Sequence, residues 1–343
     1  MHREPLLSFT PKGIYCSRAD VYIDPHRPVH RALITHGHSD HAIAGHQYYL
    51  CTQLTAAILR YRLGSFYQIQ THDFGIPLDI NGVRFSFHPA GHIPGSAQVR
   101  VAYRDEIWVV TGDYKTEADA LCENYELVPC HHLVTESTFA LPVYQWQPQP
   151  VILGEILDWY QKNQEQGKST LLLAYALGKS QRLIHLIPPE IPVYTQGSVE
   201  QTTDILRKAG LKLRKTIPLS SRLTKKEIQK GITLTPASEI NNPWVRSLIS
   251  PVTATVSGWM TLNTIRKNQA ANHGFALSDH VDWTSLNQVV RACGARKIWV
   301  THGYTEAYSK WLKTLGYEAE AVREGYRFEA NRSAENQERA GED

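Results

Sequence analysis

Residues 31–41 read Arg31-Ala32-Leu33-Ile34-Thr35-His36-Gly37-His38-Ser39-Asp40-His41. The first five form a short apolar run that predicts a buried strand, and the next six hold three histidines and an aspartate. Residues two apart at a strand end face the same way, so His36 and His38 are expected to share one metal ion. Asp40 and His41 come as the chain turns, placed to reach a second metal close by. Imidazole and carboxylate donors suit zinc, or manganese where carboxylates dominate.

Three more stretches repeat the arrangement of an apolar strand followed by a metal-ligating residue. His92, in Ala90-Gly91-His92-Ile93-Pro94-Gly95-Ser96, follows the alternating strand of Val83, Phe85 and Phe87, and its glycines permit close backbone approach. Asp113, in Thr111-Gly112-Asp113-Tyr114, follows Ile107-Trp108-Val109-Val110, and a carboxylate there can bridge two metals. His302, in Val300-Thr301-His302-Gly303, ends another apolar strand. Each of these three alone reads equally well as a satisfied turn residue. As a set they read as one dinuclear centre assembled at strand ends.

Strand and helix signals alternate almost throughout, which predicts an α/β protein. Thr52 is expected to cap a helix running to Arg62, with Leu54, Ala57, Ile58 and Tyr61 on one apolar face. The rhythm changes after Gln145-Trp146-Gln147-Pro148-Gln149-Pro150. Strands at Ser169–Tyr175, Pro192–Thr195, Ile232–Pro236 and Val252–Ser257, with helices at Lys179–Ile187 and Val199–Ala209, predict a small layer of parallel strands. After Asn272 the earlier pattern returns with Phe275-Ala276-Leu277-Ser278-Asp279-His280, a helix from Trp283 to Cys293 closed by Gly294, and the strand into His302. The expected organisation is a domain of residues 1–145 and 273–332, an insert of residues 146–272, and a flexible tail of residues 333–343.

Composition narrows the classes. At 343 residues, with 42% hydrophobic and 10% aromatic residues, the chain is long and apolar enough to build a core, which excludes wholesale disorder. The longest apolar run, Leu171–Leu177, is far short of a bilayer span, and Met1-His2-Arg3-Glu4-Pro5 does not read as a secretory signal. Five scattered cysteines without a Cys-x-x-Cys pair fit reduced thiols and a cytoplasmic location. Net charge is only +3, yet residues 146–272 hold 16 Lys and Arg against 8 Asp and Glu, which points to a polyanionic partner. Within them Gly178, Lys179 and Ser180 open a helix after a strand, an expected anion site, although Lys179 reads equally as a solvated lysine. Ser257 and Gly258, before Trp259, offer a hydroxyl and a permissive backbone beside a stacking face, although Trp259 reads equally as core at a domain interface.

The motifs HGHSDH, AGHIPGS and TGD, in that order, resemble the metallo-β-lactamase superfamily. Thr135-Glu136-Ser137-Thr138, Ser278-Asp279-His280 and Thr301-His302-Gly303 resemble the extra motifs of its β-CASP nuclease branch, and Ala176-Leu177-Gly178-Lys179-Ser180-Gln181 resembles the opening of the β-CASP insert. The compact length and the Ser257-Gly258-Trp259 turn look most like bacterial ligase-associated DNA exonucleases, relatives of the Artemis-type enzymes. The resemblance implies an αββα sandwich with an inserted smaller α/β domain. It implies two divalent metals, Zn2+ ahead of Mn2+, with His36, His38 and His92 on one, Asp40, His41 and His302 on the other, and Asp113 bridging. It implies catalytic roles for Asp40, Glu136 and His280, the last as proton donor with Glu136 as its acidic partner. The implied activity is a DNA exonuclease of 5′-to-3′ polarity in DNA repair, alongside a DNA ligase and a helicase. His302 pulls the other way, because it matches RNA-cleaving members such as RNase J and the polyadenylation endonuclease. A β-lactamase or thioester hydrolase would need only the first motif, and a binding subunit without activity would not need the full ligand set.

Overall fold

The structure is a computed structural model that describes residues 5–64, 66–262, 271 and 273–322. Two compact units share the chain: residues up to 143 with those from 280 form the first, and residues 144–279 the second. The expected tail at 333–343 lies outside the described residues, as does Asn272, the last residue of the expected insert.

The first unit holds two sheets. One runs in order β1(Ser8–Thr10), β2(Gly13–Cys16), β3(Val21–Ile23), β4(Arg31–Leu33), β5(Tyr48–Cys51) and β6(Gln68–Thr71), with the helix α1(Gln53–Leu63) between its last two strands. The other contains β7(Leu78–Ile80), β8(Val83–Pro89), β9(Ala97–Tyr103), β10(Glu106–Val110) and β11(His132–Ser137). Beyond β11 it continues with the late strands at Lys297–Gly303 and Glu318–Ala321. Alternation decides the faces: Val83, Phe85 and Phe87 point inward with Val99, Val101, Trp108 and Val110, and meet Ile14, Val21, Ile23 and Leu33 of the first sheet in one core. A second core lies between the later sheet and the helices at Trp283–Ala292 and Thr305–Thr314, and a third packs Ala56 and Leu59 of α1 against Ala32, Ile34 and Tyr49. The layers of this unit are therefore helix, sheet, sheet, helix.

Helix α1 departs from its sequence reading. Thr52 precedes it, but its hydroxyl donates to the Gly95 carbonyl instead of capping the helix. The buried side chains are Thr55, Ala56, Ile58 and Leu59, whereas Tyr61 is 48% exposed. The stripe of Leu54, Ala57 and Tyr61 is rotated away from the core that Ala56 and Leu59 complete.

The second unit is a six-stranded sheet in order β14(Ile217–Pro218), β13(Val193–Thr195), β15(Ile232–Thr235), β12(Thr170–Leu173), β16(Val252–Val256), β17(His273–Phe275). Every pairing in it is parallel. The helices α2(Gln149–Glu165), α3(Lys179–Leu186) and α4(Gly197–Lys208) accompany it, and Leu172, Ile184, Val199, Leu234 and Ala254 share its core. The shorter α5(Lys225–Gln229) and α6(Pro243–Arg246) follow, then α7(Trp283–Ala292), β18(Lys297–Gly303), α8(Thr305–Thr314) and β19(Glu318–Ala321) return to the first unit. The unit extends past the expected boundary at 272 because Phe275 pairs with Val256 and joins this core.

Candidate metal centre

In the first unit, four strand ends deliver histidine or aspartate to one place. His36 leaves β4 fully buried, and Thr35 beside it donates to Asp24 through both its backbone N–H, at 2.8 Å, and its hydroxyl, at 2.6 Å. Thr35 Oγ1 in turn lies 3.0 Å from His36 Nδ1, which directs Nε2 of that ring into the cluster. His92 is held by its loop, where Ser96 Oγ accepts from the His92 and Ile93 N–H groups at 3.0 and 3.2 Å. Asp113 follows Gly112, whose φ of +55° is left-handed and where a Cβ would stand 2.6 Å from Thr35 Oγ1. Only glycine permits that approach of the aspartate loop to the histidine loop.

Three groups of donor atoms share Asp113, two of them otherwise made of histidine and the third formed with Glu136 and His280. In the first, His38 Nδ1 lies 3.2 Å from His36 Nε2 and 3.1 Å from His92 Nε2. Asp113 Oδ2 lies 3.6 and 3.8 Å from the His36 and His92 nitrogens. Ligands at ~2.0–2.1 Å around a tetrahedral ion stand ~3.3 Å from one another, so these spacings fit a cation. In the second, Asp113 Oδ1 lies 3.5 Å from His41 Nε2, and His302 completes the group with its ring stacked on His41 at 4.6 Å. Among the described residues, His41 Nε2 and Asp113 Oδ1 are both buried and neither has a hydrogen-bond partner. Such groups are costly unless a ligand satisfies them, and an imidazole nitrogen facing a carboxylate oxygen is a donor pair for a divalent cation. Asp40 stands further out, its side chain 45% exposed and its Oδ2 3.8 Å from His41 Nε2.

The electrostatics agree with that fit. Burial, with His41 adding to it, drives His36 well below the ordinary histidine range, and burial drives His302 down to about 4, so both present neutral nitrogens. His41 moves the other way: burial opposes its charge, but Asp113 and Asp40 pull it well above the ordinary value. Burial likewise opposes charge on Asp113, and His41, His280 and His36 overcome it and hold the carboxyl well below the usual range. The carboxylates thus demand positive charge where His41 and Asp113 meet.

His280 and Glu136 are also brought together. His280 Nδ1 lies 2.9 Å from Glu136 Oε2, and Glu136, 1% exposed, accepts from the Tyr114 N–H at 2.8 Å through its other oxygen. His280 Nδ1 is 4.0 Å from Asp113 Oδ2, and its ring sits 4.6 Å from that of His92. His302 holds a left-handed φ of +48°, unusual outside glycine, where β18 shifts register against β11. Ser137 Oγ donates to the carbonyls of Thr301 and His302 and pins that turn.

Sequence reasoning missed Asp24. Its Oδ2 accepts from His41 Nδ1 at 2.8 Å as well as from Thr35, so one buried carboxylate sets the ring orientation on both sides of the cluster. The signal was available, because Asp24 directly follows β3 and the other donors also sit at or just past strand ends.

The residues expected to bind substrate lie in the second unit, and three of them differ from expectation. Lys179 is 4% exposed and its Nζ lies 2.7 Å from Asp279 Oδ2, while Arg182 meets the same carboxylate. The Gly178 N–H donates to Gln181 Oε1 at 2.7 Å, and Ser180 donates to the Tyr175 carbonyl through both its N–H and its hydroxyl. Gly178 and Ser180, expected to cradle an anion, are spent on the loop itself, and Lys179 on Asp279. Ser257 Oγ accepts from the Trp259 N–H at 3.4 Å, and Gly258 is buried.

No family model matches the chain. Over 96% of its length it is 28% identical to "Probable DNA ligase" of Opitutus terrae, of which it spans 32%. Over 36% of its length it is 29% identical to "Endoribonuclease YSH1" of Eremothecium gossypii, spanning 16% of that protein. Over 39% of its length it is 27% identical to "Cleavage and polyadenylation specificity factor 73" of Drosophila melanogaster, spanning 21% of it. The chain therefore covers a third or less of each of these relatives. A solved protein of unknown function from Enterococcus faecalis shares the fold, with a TM-score of 0.57 at 11% identity over 81% of this chain and 76% of that one. Among the described residues no helix is long and apolar enough to cross a membrane. The His/Asp cluster and these named relatives support the metallo-β-lactamase superfamily that the motifs resemble.

Proposed function

We propose that the chain is a two-metal phosphodiesterase that hydrolyses nucleic acid, acting as a 5′-to-3′ DNA exonuclease in repair. The observation that carries this reading is Asp113, shared by two donor groups and 4.0 Å from a histidine locked by Glu136. His36, His38 and His92 would hold one cation and His41, His302 and Asp40 the other, with Asp113 common to both. The predominance of imidazole favours zinc over manganese. Bound there, two divalent ions supply activation of water and neutralisation of phosphate charge. The chain's own residues supply the remainder. Glu136 accepts from His280 Nδ1–H and fixes the ring, so Nε2 is the nitrogen that gives a proton to the departing oxygen. Asp24 and Thr35 keep the His41 and His36 rings turned toward the ions.

DNA is favoured because the relative matched across nearly the whole chain bears a ligase name, whereas the endoribonuclease likeness covers 36%. A ligase is accordingly the expected partner, with a helicase implied by the resemblance, in a cytoplasmic setting. The second reading is an RNA-processing nuclease, favoured by the endoribonuclease relatives and by His302. Purified protein with zinc or manganese is tested on matched single-stranded DNA and RNA labelled at either end. Mononucleotides released from DNA alone, 5′ label first, are expected. Preferred or internal cleavage of RNA establishes the second reading, and intact substrates with both metals overturn the proposal.

A further inference from the structure

Helix α1 is tied to both histidine loops of the metal centre. At its start Thr52 Oγ1 and Thr55 Oγ1 donate to the Gly95 carbonyl at 2.5 and 3.1 Å, and a Cβ on Gly95 would stand 2.7 Å from Leu54 Cβ. At its end an Arg62 Nη–H donates at 2.8 Å to the carbonyl of Gly37, between His36 and His38. The helix therefore runs alongside the centre with Leu54 against Gly95, and the side that its core does not use ends at Tyr61. Leu54 and Ala57 are half-buried, Tyr61 is 48% exposed, and Phe66, just beyond the helix, is 96% exposed. The helix has no carboxylate, and Arg60 and Arg62 occupy its last turn. Arg62 spends one of five guanidinium N–H donors on Gly37.

We propose that this corner is a stacking site for an unpaired base. Phe66, with Tyr61, takes the base, and Arg60 and Arg62 supply positive charge to its backbone; this rests on the nuclease reading above. An aromatic face exposed beside cationic side chains is what a single strand recognises, since every base has a π-face and every linkage a negative charge. A duplex keeps those faces stacked on one another, so the site selects a frayed or single-stranded end.

The test uses the metal-loaded chain and fluorescein-labelled 12-nucleotide DNA with phosphorothioate linkages, followed by anisotropy. Single abasic positions are scanned along the strand against wild type, Phe66→Ala and Phe66→Trp. Phe66→Ala is expected to weaken binding ~5- to 100-fold with metal content unchanged, and Phe66→Trp to restore it. One or two abasic positions should weaken wild type equally and cost Phe66→Ala nothing more. Unchanged affinity in Phe66→Ala, or losses that simply add, overturns the stacking site. Failure of the nuclease reading shows separately, as wild type that leaves the unmodified strand uncut.

Discussion

Each unit buries a knot of polar side chains, and the two knots are completed differently. In the second unit Asp279, 3% exposed, meets Lys179 and Arg182, so the chain provides its own countercharge. In the first, six histidines and Asp113 converge around His41 Nε2 and Asp113 Oδ1, which are buried without hydrogen-bond partners. Their like partners repel, and the residues that orient them from outside the ligand set include Asp24, Thr35 and Glu136. A cluster that neutralises itself stabilises a fold. One that leaves donors aimed at each other requires something added, and the comparison predicts opposite responses to mutation and to metal.

The largest effect is expected at the shared carboxylate. Asp113→Ala should lower hydrolysis ~1000-fold or more and reduce bound metal, since both histidine-rich donor groups lose a member. Elemental analysis with a cleavage assay checks it, and full turnover at unchanged metal content would remove Asp113 from the centre. Next comes His280→Ala, expected to slow cleavage ~100- to 10,000-fold with metal retained. Loss of metal in that variant would make His280 a ligand instead of a proton donor.

The second unit should answer in stability. Asp279→Asn leaves two buried cations facing an amide, an expected loss of ~3–5 kcal/mol in denaturant unfolding. Metal content should not change. If Asp279→Asn proves as stable as wild type while Lys179→Met weakens nucleic-acid binding, then Lys179 is a phosphate ligand after all.

The same contrast explains what could be read from residue order. Ligands at strand ends were legible because period and position act locally: β4 ends at Leu33, two residues before the expected Thr35, yet His36, His92 and Asp113 follow three separate strands and His302 lies at the end of a fourth. Burial of a charge is decided by contacts far away in sequence, so Lys179 read as a surface residue although Asp279, one hundred positions later, draws it inward. Helix α1 failed for a related reason. Its apolar residues allow two adjacent faces, and the core that includes Ala32, Ile34 and Tyr49 decides that Ala56 and Leu59 turn inward and Tyr61 outward.

The smallest expected effect sharpens the comparison most, because it alters no ligand. Asp24 accepts from Thr35 Oγ1 and from His41 Nδ1–H through the same oxygen. In Asp24→Asn one of the two amide positions must be an NH2. If it faces His41, the ring must accept through Nδ1, which moves its own proton to Nε2, the nitrogen aimed at Asp113. A protonated Nε2 cannot ligate, so metal affinity should fall ~10- to 100-fold while the fold and the Lys179–Asp279 pair stay intact. Competition with a chromophoric chelator measures it, with two phases expected if only the His41 side weakens. Asp24→Glu keeps the charge and should recover part of the loss. Wild-type affinity in Asp24→Asn would show that ring orientation is imposed by packing, and that the first unit orients its donors as the second unit holds its ion pairs, through the fold alone.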